Sequence, residues 1–236
     1  MRKMTGIMFS LVLLVCFSVS SALSAQHLHY EANFSITPLA DGSVMVTGYT
    51  GTAQNVYIPQ NIQGMTVTAI GEGAFQNKRL TGVTIPPSVR TIENQAFMNN
   101  QLTSVMIPDS VVTIGAQAFM SNRLDSINIP NRVIAIGDRA FSGNRLTSIT
   151  IPRSVITIGD RAFMYNQLND VAILNNMAVV GNQAFRGNGI SSITIGTNIE
   201  IDNTAFGNNF HIFYNNNLRR GGIYTWNGIA WAFSEN

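Results

Sequence analysis

Hydrophobic positions through the middle of the chain recur every 22 residues. Phe75, Phe97, Phe119, Phe141, Phe163 and Phe185 are each 22 apart and Phe206 follows after 21, which makes seven coils. An alanine precedes every one (Ala74, Ala96, Ala118, Ala140, Ala162, Ala184, Ala205). From the second coil onward an asparagine stands three residues after (Asn100, Asn122, Asn144, Asn166, Asn188, Asn209); the first coil has Lys78 there and Asn77 beside it. Upstream in each coil runs Leu-x-x-Val/Ile-x-Ile-Pro, as in Leu102 to Pro108. A second apolar pair such as Val111 and Ile114 follows, then usually glycine (Gly71, Gly115, Gly137, Gly159, Gly181). The alternating Val-x-Ile predicts a strand, and the proline ends it because it cannot donate the next ladder bond. A period this short leaves no room for two helices and fits one strand with a tight return. No coil buries its apolar face alone, so the seven must stack on a shared core.

In such a stack most repeated residues are structural. Each phenylalanine is expected to lie against its copies above and below, with the alanine leaving room, and removing one ring costs about 3–5 kcal/mol as transfer plus cavity. The asparagine column is read as a ladder bonding the turn backbone of neighbouring coils rather than as a ligand set. Functional side chains belong at the positions the template leaves free. With Val and the second Ile of the strand facing inward, the residue between them and the one before Val face out. One exposed column then reads Thr84, Met106, Asn128, Thr150, Ala172, Thr194, and its neighbour Gly82, Ser104, Ser126, Ser148, Asp170, Ser192. A third, before the leading leucine, reads Arg79, Gln101, Arg123, Arg145, Gln167. The candidate partner-binding residues are Thr84, Ser104, Met106, Arg123, Ser126, Asn128, Arg145, Ser148 and Thr150. This face can hydrogen-bond an extended partner but has few of the large anchors that dominate interface affinity. The plain alternative is a solvated sheet whose threonines and serines serve strand propensity. On the return side Asp138-Arg139 and Asp160-Arg161 repeat at one coil's spacing, a charge ladder worth little at a surface.

The flanks depart from the repeat. Phe34–Leu39 and Ser43–Tyr49 around Ala40-Asp41-Gly42 predict a β-hairpin, and a hairpin there would cover the open face of the first coil, as terminal coils require. Residues 26–55 are therefore assigned to an N-terminal cap, 56–209 to the solenoid and 210–236 to a C-terminal cap. The repeat decays after Gln167: Leu174 replaces the proline, Met177 and Val180 fill inner positions, and Gly196 replaces the next proline. Phe213, Tyr214, Tyr224, Trp226, Trp231 and Phe233 then crowd the tail. They predict an aromatic cap. The alternative is a recognition patch built on Tyr224, Trp226 and Trp231 with Arg219 and Arg220, since interfaces use aromatics and arginine. A groove between this tail and the last coils is a further candidate site, for an apolar small molecule.

At this point the residues carry a family resemblance. The period lies within the 20–29 residues of leucine-rich repeats. Leu146 to Phe163 reads Leu-Thr-Ser-Ile-Thr-Ile-Pro-x-Ser-Val-x-Thr-Ile-Gly-x-x-Ala-Phe, which resembles the BspA-like, treponemal-type leucine-rich repeats of bacterial surface proteins. The resemblance covers roughly residues 56 to 210, and the tail pattern of Gly222, Tyr224, Gly228 and Trp231 is similar to the ending of treponemal relatives. It implies an α/β or mainly-β leucine-rich-repeat solenoid, secretion, and protein binding, notably attachment to host matrix proteins and to other bacteria. It implies no catalysis and no cofactor.

Composition narrows the classes further. Residues 1–25 read as a secretory signal peptide: Arg2 and Lys3, an apolar stretch from Ile7 to Val19, and a small-residue end at Ala22-Leu23-Ser24-Ala25. The apolar stretch is too short for a permanent membrane span. Its removal takes two of 14 basic residues and none of 12 acidic ones, leaving (14 − 2) − 12 = 0. A neutral chain argues against nucleic acid, which needs clustered uncompensated cations. Cys16, within the leader, is the single cysteine. Lipidation there is disfavoured because Val15 precedes it where a small residue is needed, and without it the mature chain has neither disulfides nor a thiol nucleophile. His27, His29 and His211 show no metal-ligand spacing, and no phosphate loop or nucleophile elbow is present. The expectation is an exported, non-catalytic protein binder at the cell surface, in the periplasm or released, adhering to host matrix or other cells. A binder of an apolar small molecule and an envelope scaffold for other bacterial proteins are the rivals.

Overall fold

The computed structural model describes residues 30–174, 178–207, 209–217 and 219–235. The leader at 1–25 with Cys16, the histidines His27 and His29, and Met177 lie outside the described residues. The coils wind into a mainly-β solenoid whose core is one continuous column of aliphatic side chains and phenylalanines.

A long sheet runs the length of the stack. Its strands are short: β5 (Met65–Ile70), β7 (Thr91–Ile92), β8 (Thr113–Ile114), β9 (Ala135–Ile136), β11 (Thr157–Ile158), β13 (Val179–Val180) and β15 (Glu200–Ile201). They pair in parallel, one coil to the next, as in Thr91↔Thr113 and Ile114↔Ile136. The sequence puts the principal strand at Leu-x-x-Val/Ile-x-Ile and treats this second apolar pair as part of the return; the structure shifts the weight. The leading motif forms β3 (Asn55–Tyr57) with β6 (Gly82–Thr84) at one end of the stack. At the other end it forms β10 (Ser148–Ile151), β12 (Asp170–Ile173) and β14 (Ser192–Ile195). Between them pairing thins to a single bridge, Thr84↔Met106. At the far end, where the ladder is continuous, Ile149, Val171 and Ile193 are buried, whereas Val105 and Ile127 in the thinly paired coils, and Val83 of β6 beside them, are only half-buried.

The turn bearing Ala-Phe supplies a third set of inter-coil bonds. Positive φ at Gln95 (58°) and Asn99 (56°), repeated at Gln117 and Ser121, flips alternate peptides. The N–H groups of Gln95, Phe97 and Asn99 thereby donate to Ala116, Ala118 and Met120 of the next coil at 2.8–2.9 Å, while Ala96 and Met98 donate back within their own turn. The glycines before this turn allow the coils to touch. A Cβ on Gly137 would stand 2.5 Å from the Ala116 backbone nitrogen, and one on Gly159 2.6 Å from that of Asp138, contacts no side chain tolerates.

Inside, the rings of Phe75, Phe97, Phe119, Phe141, Phe163 and Phe185 stack at 5.1–5.4 Å between centroids, tilted 4–12°. The asparagine column is a buried ladder. Asn122 accepts the Leu102 N–H at 3.1 Å and donates to the carbonyls of Phe97 and Phe119, and Asn100, Asn144, Asn166 and Asn188 repeat this. Asn209 leaves the ladder; it is exposed and precedes a helix with φ 55°.

At the amino-terminal end β1 (Phe34–Pro38) and β2 (Val44–Tyr49) pair antiparallel, and β2 joins β5. Asp41 turns the hairpin by accepting the Ser43 amide at 3.0 Å, and Phe34 and Tyr49 set their rings over Phe75. At the other end Phe206 stacks on Phe185 at 4.7 Å. Helix α1 (Phe210–Asn216) follows, buried through Phe210 and Tyr214. The hairpin of β16 (Gly222–Trp226) and β17 (Trp231–Ser234) then pairs antiparallel with β14. The sequence indicates the hairpin but not α1, although the spacing of Phe210, Phe213 and Tyr214 is helical.

Candidate functional site

The face formed by the leading motif places the sequence-derived columns outward. Thr84, Asn128 and Thr150 are exposed, and Met106 between them is 83% exposed; Ser104, Ser126, Ser148, Arg123 and Arg145 are exposed beside them. Ala172 and Thr194, toward the far end, are half-buried. The β3–β6 register sets Tyr57 next to Thr84, so a 58% exposed phenol heads the column. Sequence reasoning missed it because the longer return through Gln63-Gly64-Met65 puts Tyr57 out of step, although Val56-Tyr57-Ile58-Pro59 shows the motif. Tyr57 and Met106 thus stand as two large side chains on either side of Thr84. Together with Asn55, Gly82 and Ser104 they border an open depression of about 340 Å³.

The tail aromatics lie elsewhere. Tyr224 is fully buried and Trp231 nearly so, both edge-on to Phe210, and Trp226 is half-buried against Trp231. Their rings cover the last coil, and of the three only Trp226 keeps appreciable solvent contact. Burial pushes the Tyr224 hydroxyl up to about 12, and the hydroxyl donates to the Arg220 carbonyl at 2.7 Å. Tyr214, also raised by burial, donates to the Gly196 carbonyl and accepts the Ile199 amide. Arg220 lies over the Phe233 ring and pairs with Glu235, while Arg219 donates to the Ile199 carbonyl.

Where the tail meets the last coils there is an open depression of about 560 Å³, bordered by Asp160, Glu200, Asp202, Asn182 and Arg219. Three carboxylates on its rim make it a poor receptacle for an apolar molecule, whose burial there would strip them of water. The Thr204 hydroxyl and amide, at 2.5 and 2.8 Å, hold the Asp202 carboxyl below the usual range. The repeated aspartates bond to backbone rather than to arginines. Asp138 accepts the Asp160 N–H at 2.9 Å and Asp160 that of Asn182 at 2.8 Å, as Asn94 does for Ala116. Arg161 reaches Gln183.

Among the described residues no three of His, Cys, Asp and Glu converge to hold a metal ion, and no helix is long and apolar enough to cross a membrane. What the surface can do chemically is hydrogen-bond and pack, through the Tyr57 to Thr150 column and its serine and arginine neighbours.

The sequence model of the BspA type leucine-rich repeat region, six copies long, matches residues 49–166 and 90–213. No curated protein sequence matches the chain. Among solved structures it is similar to a leucine-rich repeat protein of Bacteroides ovatus, at 25% identity and TM-score 0.52 over 67% of this chain and 56% of that one. It is similar to a leucine rich cell surface protein of Faecalibacterium prausnitzii, at 29% identity and TM-score 0.54 over 69% of this chain and 53% of that one. The leucine-rich repeat protein of T. pallidum shares the fold at 24% identity and TM-score 0.65, over 72% of this chain and 84% of that one. The chain therefore spans little more than half of the Bacteroides and Faecalibacterium proteins. With the family's repeat matched from residue 49 to residue 213, and with the coils stacked on the ring column and on the asparagine ladder of the middle five, this chain belongs to the BspA-type leucine-rich-repeat family.

Proposed function

We propose that the protein is an exported, non-catalytic binder that engages a protein partner along the column from Tyr57 through Thr84, Met106 and Asn128 to Thr150. The observation that carries this is the pair Tyr57 and Met106, two large, highly exposed side chains set in a row of small polar ones. Such a row offers hydrogen bonds to an extended chain, and the two anchors supply the apolar contact that decides affinity. A host matrix protein or a protein on another cell is the partner class that suits a family with a cell-surface member. The leader at 1–25 provides the export this requires.

The test is binding of the purified protein to immobilised fibronectin, fibrinogen and laminin and to cultured cells. Saturable binding that falls at least tenfold in the Met106→Ala and Tyr57→Ala variants, with unchanged melting temperature, is the expected result. Absence of saturable binding to all of them would sink the adhesive reading. Protease treatment of intact cells separates it from the envelope-scaffold reading: an adhesin is digested, an internal scaffold is protected.

A further inference from the structure

The long sheet presents a second surface, on a different side of the coil from the column just described. Its outward positions carry Val112, Ile134 and Ile156 in three successive coils, and Val179, in register with Thr157, stands one position aside in the next; Ile134, Ile156 and Val179 are 46, 56 and 42% exposed. Backbone bonds hold the three in file and tie Val179 beside them: Ile134 N–H donates to the Val112 carbonyl, Ile156 to Ile134 and Val179 to Ile156, at 2.8–3.0 Å. An aliphatic stripe across three coils, extended sideways by Val179, is an unusual thing to leave in water. The stripe is also flanked asymmetrically. The chain comes onto this face past exposed Arg132 and Arg153 and leaves it past exposed Glu72, Asp138 and Asp160, while exposed Arg90 stands in the stripe's own file one coil before Val112. Asp109 is an exception on the basic edge, and Arg139 and Arg161, half-buried, lie beyond the acidic one.

That polarity selects a partner. If two such faces meet about a two-fold axis running along the stack, the basic edge of each lies over the acidic edge of the other. If the axis runs across the stack, like edges meet and repel. The face is also large enough. Ring spacings of 4.7–5.4 Å over seven coils give roughly 30 Å of length. Eight residues at ~3.3 Å each give about 25 Å of width, a footprint near the ~800 Å² per partner of a standard interface.

We propose that this face is a homodimer interface. A second copy of the chain seats its own stripe on Val112, Ile134 and Ile156 about an axis parallel to the stack, with Arg132 and Arg153 of each copy against Asp138 and Asp160 of the other. The arrangement goes beyond the binding role above and uses none of its residues. It leaves both Tyr57–Thr150 columns free, so a dimer presents two binding faces and gains avidity without new contacts.

The experiment uses the full chain carrying Cys16→Ser, which removes the single native thiol. Along a parallel two-fold every stripe residue meets its own copy, so Ile134→Cys and Ile156→Cys, tested separately, should each form disulfide-linked dimers under mild oxidation. Sedimentation should show a dimer that Ile134→Lys converts to monomer with its melting temperature unchanged. Asp138→Asn with Asp160→Asn should weaken the dimer severalfold and flatten its salt dependence. The proposal is overturned by a monomer throughout the micromolar range, or by a dimer indifferent to Ile134→Lys. It is equally overturned by cross-links that form only when the Ile134→Cys and Ile156→Cys proteins are mixed, the signature of the crossed axis.

Discussion

Replacing Asn122 by alanine probes the bonds that tie one coil to the next. The Asn122 side chain accepts the buried Leu102 N–H at 3.1 Å and donates to Phe97 O at 2.9 Å and Phe119 O at 3.1 Å. Each carbonyl also takes a second amide, from Asn100 and Asn144 respectively, both at 3.0 Å. Alanine therefore strips the Leu102 N–H of its acceptor and leaves the two carbonyls with one donor instead of two. A buried orphaned donor costs about 1–3 kcal/mol and each further lost bond about 0.5–1.5, so Asn122→Ala should cost about 3–4 kcal/mol. For a chain of this size that lowers the melting temperature by ~10 °C. Asn209→Ala is the internal control: the same residue type in the same sequence column, but exposed and without a side-chain cap bond, and it should cost no more than about 1 kcal/mol, from alanine's poorer fit to φ 55°. Urea denaturation followed by circular dichroism, with m held constant, measures both. Asn122→Asp adds a sign. It keeps the acceptor, loses both donors and points a carboxylate at two carbonyls, so its folded-state pKa lies above the ordinary value of ~3.9. Its stability is then greatest below that value and is lost as pH rises through the raised one. A loss at Asn122→Ala under about 1 kcal/mol, or equal to that at Asn209→Ala, would refute the ladder as a principal inter-coil bond.

Three further outcomes follow from the same geometry. Phe119→Ala, removing a fully buried ring between two stacked neighbours, should cost about 3–5 kcal/mol by urea denaturation. Asp138→Asn should be neutral, because Asn94 already performs the same acceptance two coils along the stack; Asp138→Ala, which loses the bond to Asp160, should cost about 1 kcal/mol. Tyr224, whose folded pKa is raised to about 12, binds its proton more tightly folded than unfolded. Its contribution is intact below pH ~10 and is lost as pH climbs toward the folded value. Phenolate absorbance in an alkaline titration should show its ionisation coinciding with unfolding of the tail in wild type, and Tyr224→Phe should move that unfolding to higher pH.

Much of this was legible in the sequence because a repeat reports its own register. Six phenylalanines at one spacing, with a seventh one residue short of it, specify a stack, and the rings do stack; six asparagines at one offset specify a ladder, and five of them form it. The parts that escaped depend on what no single coil shows. Whether Leu-x-x-Val-x-Ile pairs with its neighbour is set by coil-to-coil geometry, and it pairs in β10, β12 and β14 but scarcely from Leu102 to Ile129. The repeated Asp-Arg pairs look like an ion ladder in sequence, yet the carboxylates prefer backbone amides, which are fixed and closer than a flexible guanidinium. Helix α1 was hidden by polar neighbours, His211, Asn215 and Asn216, that mask its Phe210, Phe213 and Tyr214 stripe. The candidate binding column was predicted from strand alternation alone, but Tyr57 required the actual register of β3 on β6.

The division of labour within each coil has a consequence for how such a chain acquires a partner. In the repeating coils the buried phenylalanines pack on the same column above and below, and the buried asparagines from Asn100 to Asn166 are answered by backbone of the preceding coil and of their own. Outward residues such as Thr150 or Met106 enter none of these bonds, so their identity costs the stack little. Binding and folding are therefore separable here to a degree that compact domains do not allow. A face substitution that abolishes partner binding should leave the unfolding midpoint in place, whereas one in the asparagine or phenylalanine column should shift it by several kcal/mol while the surviving folded molecules still bind.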